Sequence, residues 1–179
     1  MNMCPIGRRF HKVKDWRAII RNGLQNAVKG HTFWESYIDS MVQGPAPFGL
    51  HLAVLVEPYL RYILEGKKTV ESRFSERRVA PYGSVRRDDV ILLKRSGGPI
   101  VGLCRASDTW YYELDPRSWR EIRTGFSQML CAQDPDFWSQ RKTAEFATLI
   151  RLTNVLKISP FKYEKNDRRG WVVLKPAGE

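Results

Sequence analysis

Lys67, Lys68, Glu71 and Arg73 fall within the nine residues EGKKTVESR, positions 65–73. Two kinds of chemistry suit that set. The cations can receive a phosphate or a base edge while the carboxylate orients them. Alternatively, Glu71 can accept a proton from a base amine or a ribose hydroxyl, with Lys68, Tyr59 and Arg73 completing an acid, a base and a phosphate clamp. The bland alternative is an ion-pair network tying a helix to a barrel mouth. On a strand, Thr69, Glu71 and Arg73 point to one face and Val70, Ser72 and Phe74 to the other. Glu71 and Arg73 therefore share a surface, and Lys68, at a helix–strand junction, leans over it. Tyr59 lies on the preceding helix, where packing against the barrel competes with any chemical role.

Further cations crowd the flanking turns: Arg77 and Arg78, Arg86 and Arg87, Lys94 and Arg95, and later Arg168 and Arg169. Arginine suits phosphate forks and base stacking. Turns gathered at one rim would frame the Lys68 site, and the alternative is a scattered surface partly neutralised by Asp88, Asp89 and Asp167. Trp110, Tyr111 and Tyr112 end a strand, and Trp110 is the ring taken as a stacking candidate.

The elements that must position these residues follow from periodicity and punctuation. Residues 15–29 carry an apolar helical stripe (Trp16, Ile19, Ile20, Leu24, Ala27, Val28) with Asp15 as N-cap. A second helix opens on Thr32 and Glu35, a capping-box pattern. QGPAPFG (43–49) reads as a linker. LHLAVLV (50–56) is a strand, and Pro58 and Gly66 bracket a short helix. KTVESRF, VILLKR (90–95) and IVGLCRASDTWYY (100–112) read as strands, the last two as a hairpin. Asp115–Pro116 and Asp134–Pro135 each start a helix, FATLIRLTNVLKI (146–158) is a long strand, and WVVLK is another. The pattern predicts an α+β chain, a small, partly open β-barrel of five to six strands with inserted helices. It divides into a helical extension with a basic arm (1–48) and the barrel domain (49–179).

Composition narrows the function classes. The chain has 179 residues, 42% hydrophobic, with a net charge of +11, which fits a globular domain that meets a polyanion. Six tryptophans and seven tyrosines supply stacking surface, though most belong to the core. No apolar run reaches bilayer length and the first residues lack a secretory leader pattern, so a cytoplasmic or nuclear, non-secreted and non-membrane protein is expected. Three cysteines without a CxxC, and three histidines twenty residues apart, predict neither a metal site nor a cofactor. Cys104 sits in an apolar stretch and reads as core.

VEPYLRYILEGKKTVESR resembles the signature of the ASCH domain family: glycine, any, lysine, two any, glutamate, any, arginine, here Gly66, Lys68, Glu71 and Arg73. The stretch DDVILLKRSGGPIVGLCRAS is similar to the hairpin that follows it in the family. The resemblance spans roughly residues 52–158. It implies a PUA-like barrel and an RNA-binding role, for single-stranded RNA or a modified base. Some branches are hydrolases, which makes a metal-independent ribonuclease or a nucleoside amidohydrolase acting on an acylated cytidine the alternative. In the amidohydrolase branch a threonine takes the place of Glu71, so the nucleophile expected there is missing. That branch also needs a further glutamate, for which Glu113 and Glu121 are the candidates.

Overall fold

The computed structural model describes residues 16–44, 46–165 and 167–178. Asp15 and the arm bearing Arg8, Arg9, Lys12 and Lys14 lie outside the described residues. Helix α1 (Trp16–Ile19) runs through a π-helical stretch, Ile20–Leu24, into α2 (Gln25–Ala27), and α3 (Thr32–Gln43) follows. Then come β1 (Leu50–Leu55), α4 (Tyr59–Leu64), β2 (Val70–Ser75), β3 (Val90–Arg95), β4 (Ile100–Glu113), α5 (Pro116–Leu130), α6 (Pro135–Ser139), β5 (Phe146–Phe161) and β6 (Trp171–Lys175). The six strands form one sheet in the order β2-β5-β4-β3-β1-β6. Every pairing is antiparallel except β1 with β3.

The long strands β4 and β5 let the sheet curl. Their ladder slips at Ile100/Gly102, Leu103/Arg105 and Ala106/Asp108, and Asn154 on β5 takes a positive φ of 51°. Such irregularities bend and twist a strand. The curl brings the edge strands β2 and β6 toward each other, so that the Arg73 guanidinium sits 5.4 Å from the Trp171 ring. The result is the expected partly open barrel.

Both faces of the sheet are buried, and the period-2 alternation shows how. Leu50, Leu52, Val90 and Leu92 join one apolar cluster, while Ala53, Leu55, Ile91 and Leu93 join another inside the barrel with Leu60 and Ile63 of α4. The first cluster is completed by the opening helices through Ile20, Leu24, Trp34, Ile38 and Met41. A third cluster sets α5 and α6 against β2 and β5 through Val70, Ile122, Leu130, Phe137, Trp138 and Leu149.

Among the described residues, helix punctuation matches the reading with one exception. Asp115 caps α5 in a reciprocal capping box with Ser118, and Asp134 caps α6. At α3, however, His31 is the N-cap and makes no side-chain cap, and Thr32 already lies inside the helix. Glu35 instead accepts from Gly30 N at 2.9 Å, outside the helix altogether.

Trp34 is fully buried and donates from Nε1 to Asn154 O of β5 at 3.0 Å. It ties the opening helices to the sheet by packing and by one hydrogen bond. Trp34→Ala is therefore expected to cost about 3–5 kcal/mol and to leave a single cooperative urea transition followed by fluorescence. Two separate transitions would mean that helices and barrel fold independently.

Candidate functional site

The turn after α4 sets Lys68 in place. Gly66 adopts φ +73°, a conformation natural to glycine, and the amides of Lys67 and Lys68 both return to Tyr62 O at 2.9 and 3.0 Å. Thr69 N then bonds Met129 O at the end of α5, and Leu152 N bonds Thr69 O. Lys68 is thereby pinned between α4, α5 and β5.

Its ammonium turns inward, only 2% exposed. Nζ donates to Val70 O at 2.6 Å and to Leu130 O at 3.3 Å. Leu130 ends α5, where the helix dipole favours a cation. Glu71 Oε2 lies 3.5 Å away. Glu71 pairs across the ladder with Ile150, a residue of the barrel interior, so its carboxylate stands on the concave wall of the sheet. Arg73, two residues on, shares that wall. Its Nε stands 3.0 Å from Glu71 Oε1, but this buried N–H is off-line and forms no aligned hydrogen bond. Nη2 donates to Val54 O at 3.0 Å. Arg73 thus reaches from one edge of the sheet to the end of β1.

A second row of polar groups backs Arg73. Trp171, against whose ring it lies, donates from Nε1 to His51 Nδ1 at 3.2 Å. His51 Nε2 then carries the proton and donates to Asp89 Oδ2 at 2.9 Å. Asp89 also accepts from Gly49 N and from Arg86 N at 2.5 and 2.7 Å. Burial works against its charge, but these hydrogen bonds hold the carboxyl below its usual range. Gly49 is needed here because a Cβ would stand 3.0 Å from Lys175 O and 3.2 Å from Asp89 Oδ1.

Lys68, Glu71 and Arg73 line a cavity of about 360 Å³ together with Tyr59, Phe74, Phe137, Gln140 and Arg141, among others. Its lining holds three cations, Lys68, Arg73 and Arg141, and one carboxylate, Glu71. Burial pushes the Lys68 ammonium down from the usual lysine value, with Glu71 pulling the other way, so its proton leaves more readily. Burial raises the Tyr59 hydroxyl, which therefore stays protonated and able to donate. Arg141 rests 3.8 Å above the Phe137 ring centroid and donates to Phe137 O. The remaining donors of its fork are open to a ligand.

The structure thus brings together Lys68, Glu71, Arg73 and Tyr59. It places the other anticipated residues elsewhere, and none of them lines the cavity. Lys67 pairs with Glu65 at 2.6 Å. Arg78 pairs with Glu113, and Arg87 with Asp108. Arg95 pairs with Glu57 at 3.1 Å, and Arg169 with Asp167 at 2.7 Å. Lys94 is buried and donates to Arg95 O and Gly98 O. Arg77, Arg86 and Arg168 are exposed. Trp110 packs on Phe126 of α5 with ring centroids 5.0 Å apart. Of the candidate glutamates, Glu121 accepts from Tyr112 Oη. Cys104 is fully buried and its thiol is pushed far up by burial, as a core residue should be. Among the described residues no group of three or more His, Cys, Asp or Glu could hold a metal. Sequence reading missed Arg141, Phe137 and Gln140; the Asp134–Pro135 helix start was the only signal near them.

A family model described as the ASCH domain matches residues 54–168. Among solved structures the fold is similar to the crystal structure of ASCH from Zymomonas mobilis, at 17% identity and a TM-score of 0.52, covering 63% of this chain and 72% of that one. It is similar also to a serine-to-alanine mutant of that protein, at 16% identity and a TM-score of 0.53, covering 65% and 75%. At such identities the likeness speaks for the fold alone. No curated protein matches the sequence.

Removing one member of a buried ion network leaves an uncompensated charge. Glu71→Ala is expected to destabilise the protein by about 3–5 kcal/mol, read by urea denaturation. Glu71→Gln should lose less, because the amide oxygen can still accept. Equal losses from both would show that the missing charge, not the missing acceptor, carries the whole effect, and no loss from either would show that the Glu71 charge does not matter to the fold.

Proposed function

The chain belongs to the ASCH domain family, and from that premise we propose that the cavity beside Lys68 receives part of an RNA strand. The supporting observation is the lining itself. An open cavity holds a carboxylate between two cations by ion pairing, with long or off-line contacts, and a third cation, Arg141, stands at its wall. A carboxylate offers about four acceptor positions, so Glu71 can still receive a donor such as a base amine or a 2′-hydroxyl. Lys68 and Arg141 attract phosphate, while Phe74, Phe137 and Tyr59 give a base apolar and aromatic wall. The net charge of +11 favours any polyanion approaching it. Among the described residues no helix is long and apolar enough to cross a membrane.

The test is binding of a labelled single-stranded RNA. Affinity should fall steeply with salt, by about 0.7 in log–log slope for each phosphate neutralised. Arg141→Ala should weaken binding about tenfold, the loss of one charge-assisted hydrogen bond of about 1.5 kcal/mol, and flatten the slope by about 0.7. Affinity should also decline as pH rises through the lowered Lys68 value, because a bound anion needs the protonated amine. That window lies below the ordinary 10.5. Within it the free protein gains stability, since the unfolded chain holds the Lys68 proton longer, so unfolding would not explain the loss. Salt-independent affinity would overturn the reading.

A second reading is favoured by one observation: the amine with the lowered pKa lies next to a carboxylate in an open cavity. That arrangement suits acid–base cleavage of the RNA bound there. Labelled RNA incubated with the protein in EDTA should then shorten, and Lys68→Ala should abolish the cleavage. Intact RNA with the wild-type protein leaves a binding module.

A further inference from the structure

Helix α6 separates two hollows. Phe137 lines the cavity described above, and its neighbour Trp138 lines a groove of about 480 Å³ on the other side. That groove runs between α5 and the segment entering α6, bounded by Arg123, Ser127, Ala132, Gln133, Pro135 and Trp138. The Trp138 ring is held by its Nε1, which donates to Ala132 O at 2.9 Å, and the Arg123 guanidinium lies 5.2 Å from its centroid. Arg123 ends a row. Arg117, Arg120 and Arg123 recur every third residue of α5 and all three are exposed, so they form one inclined ridge across its outer face. The only acidic residue of the helix, Glu121, is engaged with Tyr112.

Rings continue from one hollow to the other. Phe74, on the cavity wall, stacks on Trp119 with planes 4° apart and centroids 5.3 Å apart. Trp119 meets Trp138 edge to face at 6.3 Å. An aromatic partition with an arginine on each side, Arg141 over Phe137 and Arg123 over Trp138, is thus continuous with a cationic helix ridge. Aromatic faces beside a cationic track are the ingredients of single-strand binding, and arginine forks match successive phosphates.

We propose that the α5–α6 groove is a second nucleotide subsite, which seats the strand next to the nucleotide held in the Lys68 cavity and passes its backbone along Arg123, Arg120 and Arg117. This deepens the reading of the cavity as an RNA site and rests on it. It also specifies the ligand class: the protein takes an oligonucleotide, and a free nucleoside or mononucleotide fills only half of what the surface offers.

The experiment compares two probes, a fluorescein-labelled ten-nucleotide single-stranded RNA and uridine 5′-monophosphate. Each is titrated into the full chain, wild type, Arg120→Glu/Arg123→Glu and Arg141→Ala. The double reversal should weaken decanucleotide binding at least tenfold near 0.1 M salt and flatten its salt slope by about 1.4, about 0.7 for each phosphate no longer neutralised. It should leave mononucleotide affinity within twofold. Arg120→Ala/Arg123→Ala should act in the same direction by a smaller factor, which guards against a local distortion caused by the glutamates. If the reversal leaves decanucleotide affinity and slope unchanged while Arg141→Ala weakens both probes, the groove is no subsite and the cavity reading stands. If the wild-type chain binds neither probe, the cavity reading itself falls, and the subsite with it.

Discussion

The structure turns on a carboxylate held inside a barrel. Glu71 projects from β2 onto the concave wall, 6% exposed, opposite Ile150 and among apolar side chains. An ionised carboxylate in such a place is costly unless cations and donors compensate it. Lys68 and Arg73 do so from either side, at 3.5 and 3.0 Å. Each cation in turn needs its own remaining donors met. Lys68 directs them to Val70 O and to Leu130 O at the end of α5, and Arg73 to Val54 O at the end of β1. One buried charge therefore fixes the relative positions of the α4 turn, the C-terminus of α5, the edge strand β2 and the end of β1. The cavity is what remains where these pieces meet without filling the space.

The Asp89–His51–Trp171 row extends that constraint across the sheet. His51 accepts from Trp171 and donates to Asp89 only in one neutral tautomer. A doubly protonated imidazole would present a second N–H to the Trp171 N–H and break that hydrogen bond. Trp171 is the surface against which the Arg73 guanidinium lies, and Gly170 beside it leaves room for Nη1, which a Cβ would approach to 2.9 Å. The row is thus a support for Arg73 built from residues of β1, β6 and the segment before β3, none of which lines the cavity. Its bonds are short-range, but their effect is to keep β6 where the barrel's open seam needs it.

Much of this was legible in the chain. The spacing of Lys68, Glu71 and Arg73 after Gly66 named the central trio, and period-2 alternation put Glu71 and Arg73 on one face. What alternation could not say was that this face looks into the barrel, since both faces of β2 are covered. The basic turns are the opposite case. Counted along the chain, Arg78, Arg87 and Arg95 form a cationic block. In space each meets an acid far away in sequence, Glu113, Asp108 and Glu57, which the strand pairing brings to it. Arg141 was hidden for the reverse reason. Nothing in its neighbourhood of sequence marks it as different from other surface arginines, and only the packing of α6 against β2 carries it to the cavity. The capping box at Thr32 failed on a one-residue shift, which local pattern cannot resolve when the turn before the helix offers Glu35 another donor.

The same trio satisfies both the structural and the functional accounts of the signature, and the division between them is one of geometry. A purely architectural ion pair in an interior would be expected to close on itself, with short aligned hydrogen bonds consuming every donor and acceptor, because each unmet polar group costs about 1–3 kcal/mol. Here the shortest bonds of Lys68 and Arg73 go to backbone carbonyls, while their contacts to Glu71 are long or off-line. Backbone carbonyls thus take the aligned hydrogen bonds of the cations, and the carboxylate, held by ion pairing, keeps acceptor positions open at the wall of a space large enough for a guest. Holding an acceptor open in this way is preorganisation: the ordering cost falls on folding, and a ligand that supplies the missing donor meets a site already in place.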